Sequence, residues 1–443
     1  MGTFRSFVEE NIRYEILALI ALSFLWEFYL SLRQKKLMQK LVELPECLNG
    51  ILTKDLYDKA RSYALAKSTY SNYQNLYSTL FTVILILTFS FYLFWEWATA
   101  IAIKIGFSTA NEILISAIYM FIINMLTVLV DFPFKVYNTF VLEEEYGFNK
   151  QTVRFFIKDQ ALKLLVTQLI ALPLICSIIW IVQNGGEYFF VYLWLFTVAV
   201  SLFMLILYPE VIAPLFDKYS PLPEGELKTQ IEALAASINF PLYKLYIVDS
   251  SKRSSHSNAY LYGFHKYKRI VLFDTLVKEY YKPDEKDGKK DQGCETDEVV
   301  GVLAHELGHW KYNHTVKGFF LTQVNLMINF ILFAKLLHYQ PMYTAFGFTT
   351  VQPIFVGLII VMMYILMPLN TLMGFVYTVN SRKFEFEADM FAKKLGHAEP
   401  IRRALIKLHK DNLGYPLFDK LYSGWHHDHP PLLQRLEALN KED

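Results

Sequence analysis

The chain has 443 residues, a formal net charge of +1, and 53% hydrophobic, 16% aromatic and only 19% charged residues. Soluble domains carry about 25% charge, so this is the composition of a membrane protein, and the balanced charge gives no case for a nucleic acid or other polyanion as partner. Three cysteines, Cys47, Cys176 and Cys294, are too few and too far apart for a disulfide scaffold or a thiolate metal cage.

A helix needs about 20 residues to cross a bilayer core. Seven apolar stretches predict such spans: 16–32, 79–103, 112–133, 162–183, 188–208, 319–338 and 353–376. The first holds Glu27 and is followed by no small-residue cleavage site, which predicts a retained span and no cleaved signal peptide. Gly185 and Gly186 predict a tight hairpin between the fourth and fifth. Lys and Arg number 8 in 33–78, 4 in 134–161, 15 in 209–318 and 11 in 377–443, against 2 in 1–15 and none in 184–187 or 339–352. Basic residues mark the cytosolic ends of spans. That bias predicts a lumenal N-terminus, with the 209–318 loop and the C-terminal tail in the cytosol.

The predicted organisation is therefore spans one to five in 1–208, a cytosolic loop domain in 209–318, spans six and seven in 319–376, and a cytosolic C-terminal region in 377–443. Glu27, Glu96, Asn124, Gln323, Asn325 and Asn329 lie inside the apolar runs. Polar groups are costly in hydrocarbon unless they face protein or water. They read either as the lining of a wet internal cavity or as interhelical hydrogen bonds in a packed bundle, and Glu27 and Glu96 can also sit near the membrane surface.

Within 209–318, Pro221, Pro223 and Gly225 form a turn and 226–238 has helical periodicity. Leu242–Val248 and Lys268–Phe273 read as strands separated by the polar stretch 250–258. Residues 281–296 are polar and turn-rich and predict a flexible insertion, with order returning at Thr296.

The segment TDEVVGVLAHELGHWKYNHTVKG, residues 296–318, carries the chemistry. Thr296 is the expected N-cap, and Asp297 and Glu298 suit the first turn. At helical spacing Val300, Leu303, Leu307 and Trp310 form one stripe, with His305 and His309 together on nearly the opposite side. Two imidazoles one turn apart reach one metal ion, and Glu306 beside them is placed to activate a water: the His-Glu-x-x-His zinc pattern. His314, about half a helical turn round from His305, is not counted as a ligand. The acceptor pattern Asn313-His-Thr315 is expected to go unglycosylated in a cytosolic helix.

A catalytic zinc takes three protein ligands and keeps one position open. Residues 381–396 (SRKFEFEADMFAKKLG) read as a helix closed by Gly396. On it Glu385 is a candidate third ligand and Asp389, one turn on, a candidate acceptor for a ligand imidazole. Periodicity leaves Glu387 in competition with Glu385.

Taken together, the seven spans, the stretch SKRSSHSNAYLYG (Ser251–Gly263), HELGHW (His305–Trp310), Phe384–Asp389 and His429-Pro-Pro431 resemble the type 1 CAAX prenyl proteases. The resemblance covers essentially the whole chain. It implies an all-α, multi-span membrane fold with seven transmembrane helices around a large intramembrane chamber and a cytosolic zincin-like metalloprotease domain. It implies one zinc ion held by His305, His309 and Glu385, so that Glu385 outranks Glu387, with Glu306 as general base and Asp389 as a carboxylate behind the ligands. It further implies Asn258 as a substrate-backbone contact, His256 as a second candidate in the same stretch, and His429 and Arg435 as polar groups assisting the tetrahedral intermediate.

The implied reaction removes the C-terminal tripeptide of prenylated CAAX proteins at the endoplasmic reticulum membrane, and in animal relatives also the inner nuclear membrane. Membrane lipid is then a partner. Some relatives also cut a second, upstream site. Two rival readings are a lipid-independent quality-control metalloprotease and a seven-span receptor or transporter with a vestigial site. Natural substrates, prenyl preference and oligomeric state are not legible.

Overall fold

The computed structural model describes residues 2–249, 251–263, 267–281 and 292–441, with side chains from Asn11 onward. Most of the predicted insertion, 282–291, lies outside the described residues. Its C-terminal edge does not: Cys294 is buried, and its N–H donates to the Leu276 carbonyl at 2.7 Å. Packing therefore resumes before Thr296, earlier than the polar composition suggests.

All seven apolar stretches are helical, but two are not straight. Asn11–Lys40, Glu112–Glu145, Val153–Asn184, Gly186–Phe216 and His314–Leu336 are long and apolar enough to cross a membrane individually. The second stretch is split into Lys54–Leu87 and Ser90–Lys104, bent by 69°. Phe89 stands between them in the left-handed region at φ 53°, a conformation that interrupts a right-handed helix. The seventh bends by 61° at Leu366, between Ile354–Ile365 and Met367–Lys394. Pro368 there occupies the first turn of the second helix, where its missing N–H costs nothing.

This bend corrects the expected division of the last span. In place of a membrane helix ending near 376 and a separate helix from 381, one continuous helix runs from Met367 to Lys394. The residues of the candidate site are thus rooted in a membrane element.

The membrane body packs one core, including Trp95, Tyr119, Ile179, Leu193, Phe333 and Val361. Large apolar side chains on its helices stay exposed, among them Leu129, Leu169 and Phe203 at 71%, 65% and 59%, as suits helices long and apolar enough to cross a membrane.

The polar residues inside the runs meet different fates. Asn329 is buried and donates to the Asn325 carbonyl at 2.7 Å within its own helix. Glu27 accepts from Trp425 Nε1 at 3.0 Å and stands 3.2 Å from His426 Nε2. It joins the first helix to the short helix Lys420–His426. Arg33 extends that joint with a paired contact to Asp419 at 3.0 and 2.8 Å.

Beside this predominantly helical body, the 209–318 region carries a small four-stranded sheet. Its strands are β1 (Tyr219–Pro221), β2 (Leu242–Val248), β3 (Ala259–Tyr262) and β4 (Lys268–Phe273), in the order β1-β2-β4-β3. β2 and β4 pair in parallel, and β1 and β3 add antiparallel on either side. Both predicted strands are present. β1 and β3 are three and four residues long, too short for periodicity to reveal. A second core forms where the sheet, the helix Glu226–Ser237 and the helix Thr296–Lys311 meet, around Ile231, Ile270, Leu272, Leu303 and Leu307.

Candidate metal centre

The helix Thr296–Lys311 begins one residue earlier than the Thr296 cap implies. Glu295 is the N-cap, and its backbone N–H donates to the Glu298 carboxylate at 2.9 Å, half of a reciprocal capping box. The apolar stripe behaves as its spacing demands: Val300, Leu303 and Leu307 are buried, while Trp310 packs edge-on against Phe240. Burying each leucine is worth about 1.5–3 kcal/mol, so the stripe fixes the helix's rotation and turns His305 and His309 to the other side.

There they meet the long helix Met367–Lys394. The two helices approach closely because Gly308 has no side chain: a Cβ at that position would lie 2.9 Å from the Ala388 Cα. Glycine between the two histidines is thus a requirement of distance.

Across this contact the Nε2 atoms of His305 and His309 stand 3.1 Å apart. The Glu385 carboxylate faces both, at 3.4 Å from His305 and 3.2 Å from His309. One ligand atom from each of the three residues falls within 4.8 Å of the others. Glu387 is not in this set, so the tertiary contact separates the two glutamates that periodicity leaves tied.

Behind His305, Nδ1 lies 2.8 Å from an Asp389 oxygen. Arg435 grips the same carboxylate with Nε at 2.8 Å and a terminal nitrogen at 2.6 Å. Asp389 is 0% exposed, so this forked pairing supplies the counter-charge that burial demands. Arg435 also reaches to 3.5 Å from Glu385.

His429 Nε2 lies 3.3 Å from Glu385, and its Nδ1 is 2.9 Å from Asp428. Its ring remains exposed to the solvent side. Arg382, on the Glu385 helix, donates to the Gln434 side chain at 2.8 Å and to the His427 carbonyl at 3.3 Å, holding the segment that carries His429 and Arg435.

The other two candidates sit elsewhere. Asn258 immediately precedes β3, an edge strand, and its side-chain oxygen accepts from the Ala259 N–H at 2.8 Å. His256 stacks on Phe148 with centroids 4.2 Å apart, and its Nδ1 lies 3.0 Å from Asn412. Glu143 is 3.5 Å from its other nitrogen. Among the described residues neither Asn258 nor His256 hydrogen-bonds to the centre. The contacts of His256 join the loop after the third predicted span to the C-terminal region.

The donor set suits a divalent metal such as zinc: two imidazole nitrogens and one carboxylate on a single point. Glu385 is 4% exposed, and its Oε2 makes no hydrogen bond although it stands 3.4 Å from His305 and 3.5 Å from Arg435; a carboxylate buried in this way favours positive charge around it.

Desolvation pushes His305 down, but the Asp389 and Glu385 contacts outweigh it and raise the ring to about 9. Protons and metals compete for the same nitrogen, so surroundings that favour a proton there favour a metal too. Burial pushes the Glu306 carboxyl up, against the opposing charges of His305 and His309. An upward shift is the direction that makes a carboxylate a better proton acceptor.

Sequence reasoning missed one member of the cluster. His314 Nδ1 lies 2.9 Å from His309 Nδ1, and its Nε2 is 2.9 Å from Glu387. The half-turn argument assumed one helix through both histidines. Asn313 instead adopts φ 55°, ends the helix and starts His314–Leu336 in a new direction. An asparagine after the last periodic turn is the signal that could have found it.

Comparison with known proteins shows the family. Residues 34–218 match the family described as CAAX prenyl protease N-terminal, five membrane helices, and residues 221–443 match peptidase family M48. Proteins described as CAAX prenyl protease 1 homolog from Mus musculus and Homo sapiens are each 46% identical over 439 residues, covering 94% of this chain and 92% of theirs. A protein of the same description from Arabidopsis thaliana is 41% identical over 430 residues, covering 97% of both. The crystal structure of S. mikatae Ste24p superposes with a TM-score of 0.90 at 34% identity, covering 97% of this chain and 99% of that one.

Proposed function

The chain belongs to peptidase family M48 as a multi-pass membrane metalloprotease, and from that premise we propose that it is a zinc endopeptidase acting on prenylated CAAX proteins. The reaction proposed is hydrolysis of the peptide bond that frees the last three residues. The observation that carries it is the convergence of His305, His309 and Glu385 on one point, with Glu306 on the same helix.

His305, His309 and Glu385 would hold the metal. Zinc bound there supplies a Lewis acid for the scissile carbonyl and a water acidified toward neutral pH. Glu306 takes the proton from the attacking water and passes it to the leaving amine. Asp389 fixes the His305 tautomer by accepting from Nδ1–H, and Arg435 fixes Asp389.

His429, exposed with Nε2 3.3 Å from Glu385, is the proposed donor where negative charge develops on the substrate oxygen, a type of contact worth about 2.7–4 kcal/mol in a serine-protease oxyanion hole. Arg435 is buried, and its contribution is the orientation of Asp389 together with a positive field near Glu385. Asn258, at the start of edge strand β3, is the proposed contact for an extended peptide backbone. His256 is the weaker substrate candidate, since its ring and nitrogens already have protein neighbours.

The lipid on the substrate accounts for the membrane body. A prenyl chain partitions into lipid, and a membrane enzyme meets it there. The basic-residue bias supports placing the centre on the cytosolic face, and the endoplasmic reticulum is the membrane that the resemblance to type 1 CAAX prenyl proteases implies. The test is zinc-dependent release of the terminal tripeptide from one peptide made with and without its prenyl group. Selective cleavage of the prenylated form is expected. Equal cleavage of both would favour a lipid-independent protease, and a purified chain without zinc would remove the hydrolase reading.

A further inference from the structure

We propose that His314 and Glu387 form a positioning relay for the metal ligand His309, a counterpart to the Asp389–Arg435 arm behind His305. The inference rests on His309 being a ligand. It adds two residues that neither the zinc motif nor the glutamate after it identifies.

The atoms line up in one consistent tautomer. With His309 Nε2 committed to the metal, its Nδ1 carries the hydrogen and donates to His314 Nδ1 at 2.9 Å. His314 then carries its own hydrogen on Nε2 and donates to Glu387 at 2.9 Å. A ligand imidazole ordinarily gives its second N–H to a carboxylate or carbonyl. Here a second imidazole stands between the two.

The relay is built, not incidental. His314 is 4% exposed. Its ring stacks on Phe384 at 4.2 Å with an interplanar angle of 9°, and Tyr312 lies on it at 5.8 Å and 31°. The left-handed Asn313 turns the new helix so that His314 faces back toward His309. Glu387 comes from the same helix as Glu385 and Asp389, so one membrane-rooted helix supports all three arms of the centre. Lys383, one turn earlier, stands 3.7 Å from Glu387.

Zinc affinity, measured by chelator competition on the purified full-length chain, tests this without relying on activity. His314→Phe keeps the flat ring between Phe384 and Tyr312 but removes the acceptor for His309. It should bind zinc about 10–100-fold more weakly, the usual cost of losing such a partner. Glu387→Met should lose a smaller part of the affinity, and Glu387→Gln should regain it, because the amide oxygen still accepts from His314 Nε2–H.

Melting of the metal-free and zinc-loaded forms separates positioning from packing. A positioning role leaves the metal-free melting temperature at the parent value and shrinks the rise that zinc produces. Parental zinc affinity in His314→Phe, or a lower metal-free melting temperature with an unchanged zinc-induced rise, would overturn the relay. Should His314→Phe fail to fold, the Glu387 pair decides: equal affinity in the Met and Gln variants would overturn it. A parent chain that binds no zinc would instead sink the reading of the whole centre.

Discussion

The membrane body and the extramembrane domain bury polar groups on opposite terms. In the membrane body the buried side-chain atoms without a protein hydrogen-bond partner include Ser116 Oγ, the Tyr119 hydroxyl, both polar atoms of Gln168, Gln323 Oε1 and Asn329 Oδ1. All are neutral. At the metal centre the buried groups are ionisable and answered by partners: His305 by Asp389, Asp389 by Arg435, His309 by His314. Glu385 Oε2 makes no hydrogen bond but stands 3.4 Å from His305 and 3.5 Å from Arg435. A neutral orphan costs about 1–3 kcal/mol, whereas a buried charge costs far more unless an opposite charge stands nearby. The buried charges of the centre have such neighbours, and the uncharged orphans of the membrane body do without them.

That contrast breaks most readily at the ligands. His305→Ala should leave the purified chain without zinc and without peptide cleavage. Glu306→Gln should keep its zinc while turnover falls by about 10²–10⁴-fold, the usual share of a general base. Metal analysis beside a cleavage assay checks both, and retained turnover in the glutamine variant would remove Glu306 as the base.

A smaller effect separates the two glutamates. Glu385→Gln should weaken zinc binding clearly, because it removes the carboxylate charge that faces both histidines, while Glu387→Gln should stay near the parent. Competition with a chelator reads the order directly, and the reverse order would exchange their roles.

Smaller again is the acid response of the extramembrane domain. Burial lowers His409 to about 4 from its ordinary 6.5. The folded state thus favours the neutral ring. That stability is present above pH 6.5 and is lost as pH falls from 6.5 toward 4. The melting temperature should drop across that window, and less so in His409→Gln. A flat profile would show that His409 charges without cost.

The smallest effect belongs to the membrane body. Tyr119→Phe removes a hydroxyl that makes no protein hydrogen bond, and should leave the melting temperature unchanged or slightly raised. A marked loss would mean that this hydroxyl is satisfied in the membrane, which would erase the contrast between the regions.

Much of this was legible in advance. Apolar length alone located the spans, because a bilayer imposes its thickness on every crossing helix. Helical spacing put His305 and His309 on one face, since that depends only on the turn of the helix. The bends at Phe89 and Leu366 were not legible, since a hydropathy run records apolar length and not direction. Glu27 was readable as an unusual residue, but its partners Trp425 and His426 lie at the far end of the chain.

By itself, then, the sequence determined the local terms: which segments prefer lipid, which helix carries the paired imidazoles, and which glutamate stands next to them. Periodicity left Glu385 and Glu387 tied; the tertiary structure grouped Glu385 with the two histidines, brought Arg435 onto Asp389 and returned His314 to His309. Periodicity is a property of neighbours along one helix. A metal centre requires atoms from several elements within hydrogen-bonding distance, and their meeting depends on a glycine that lets two helices touch and an asparagine that ends one.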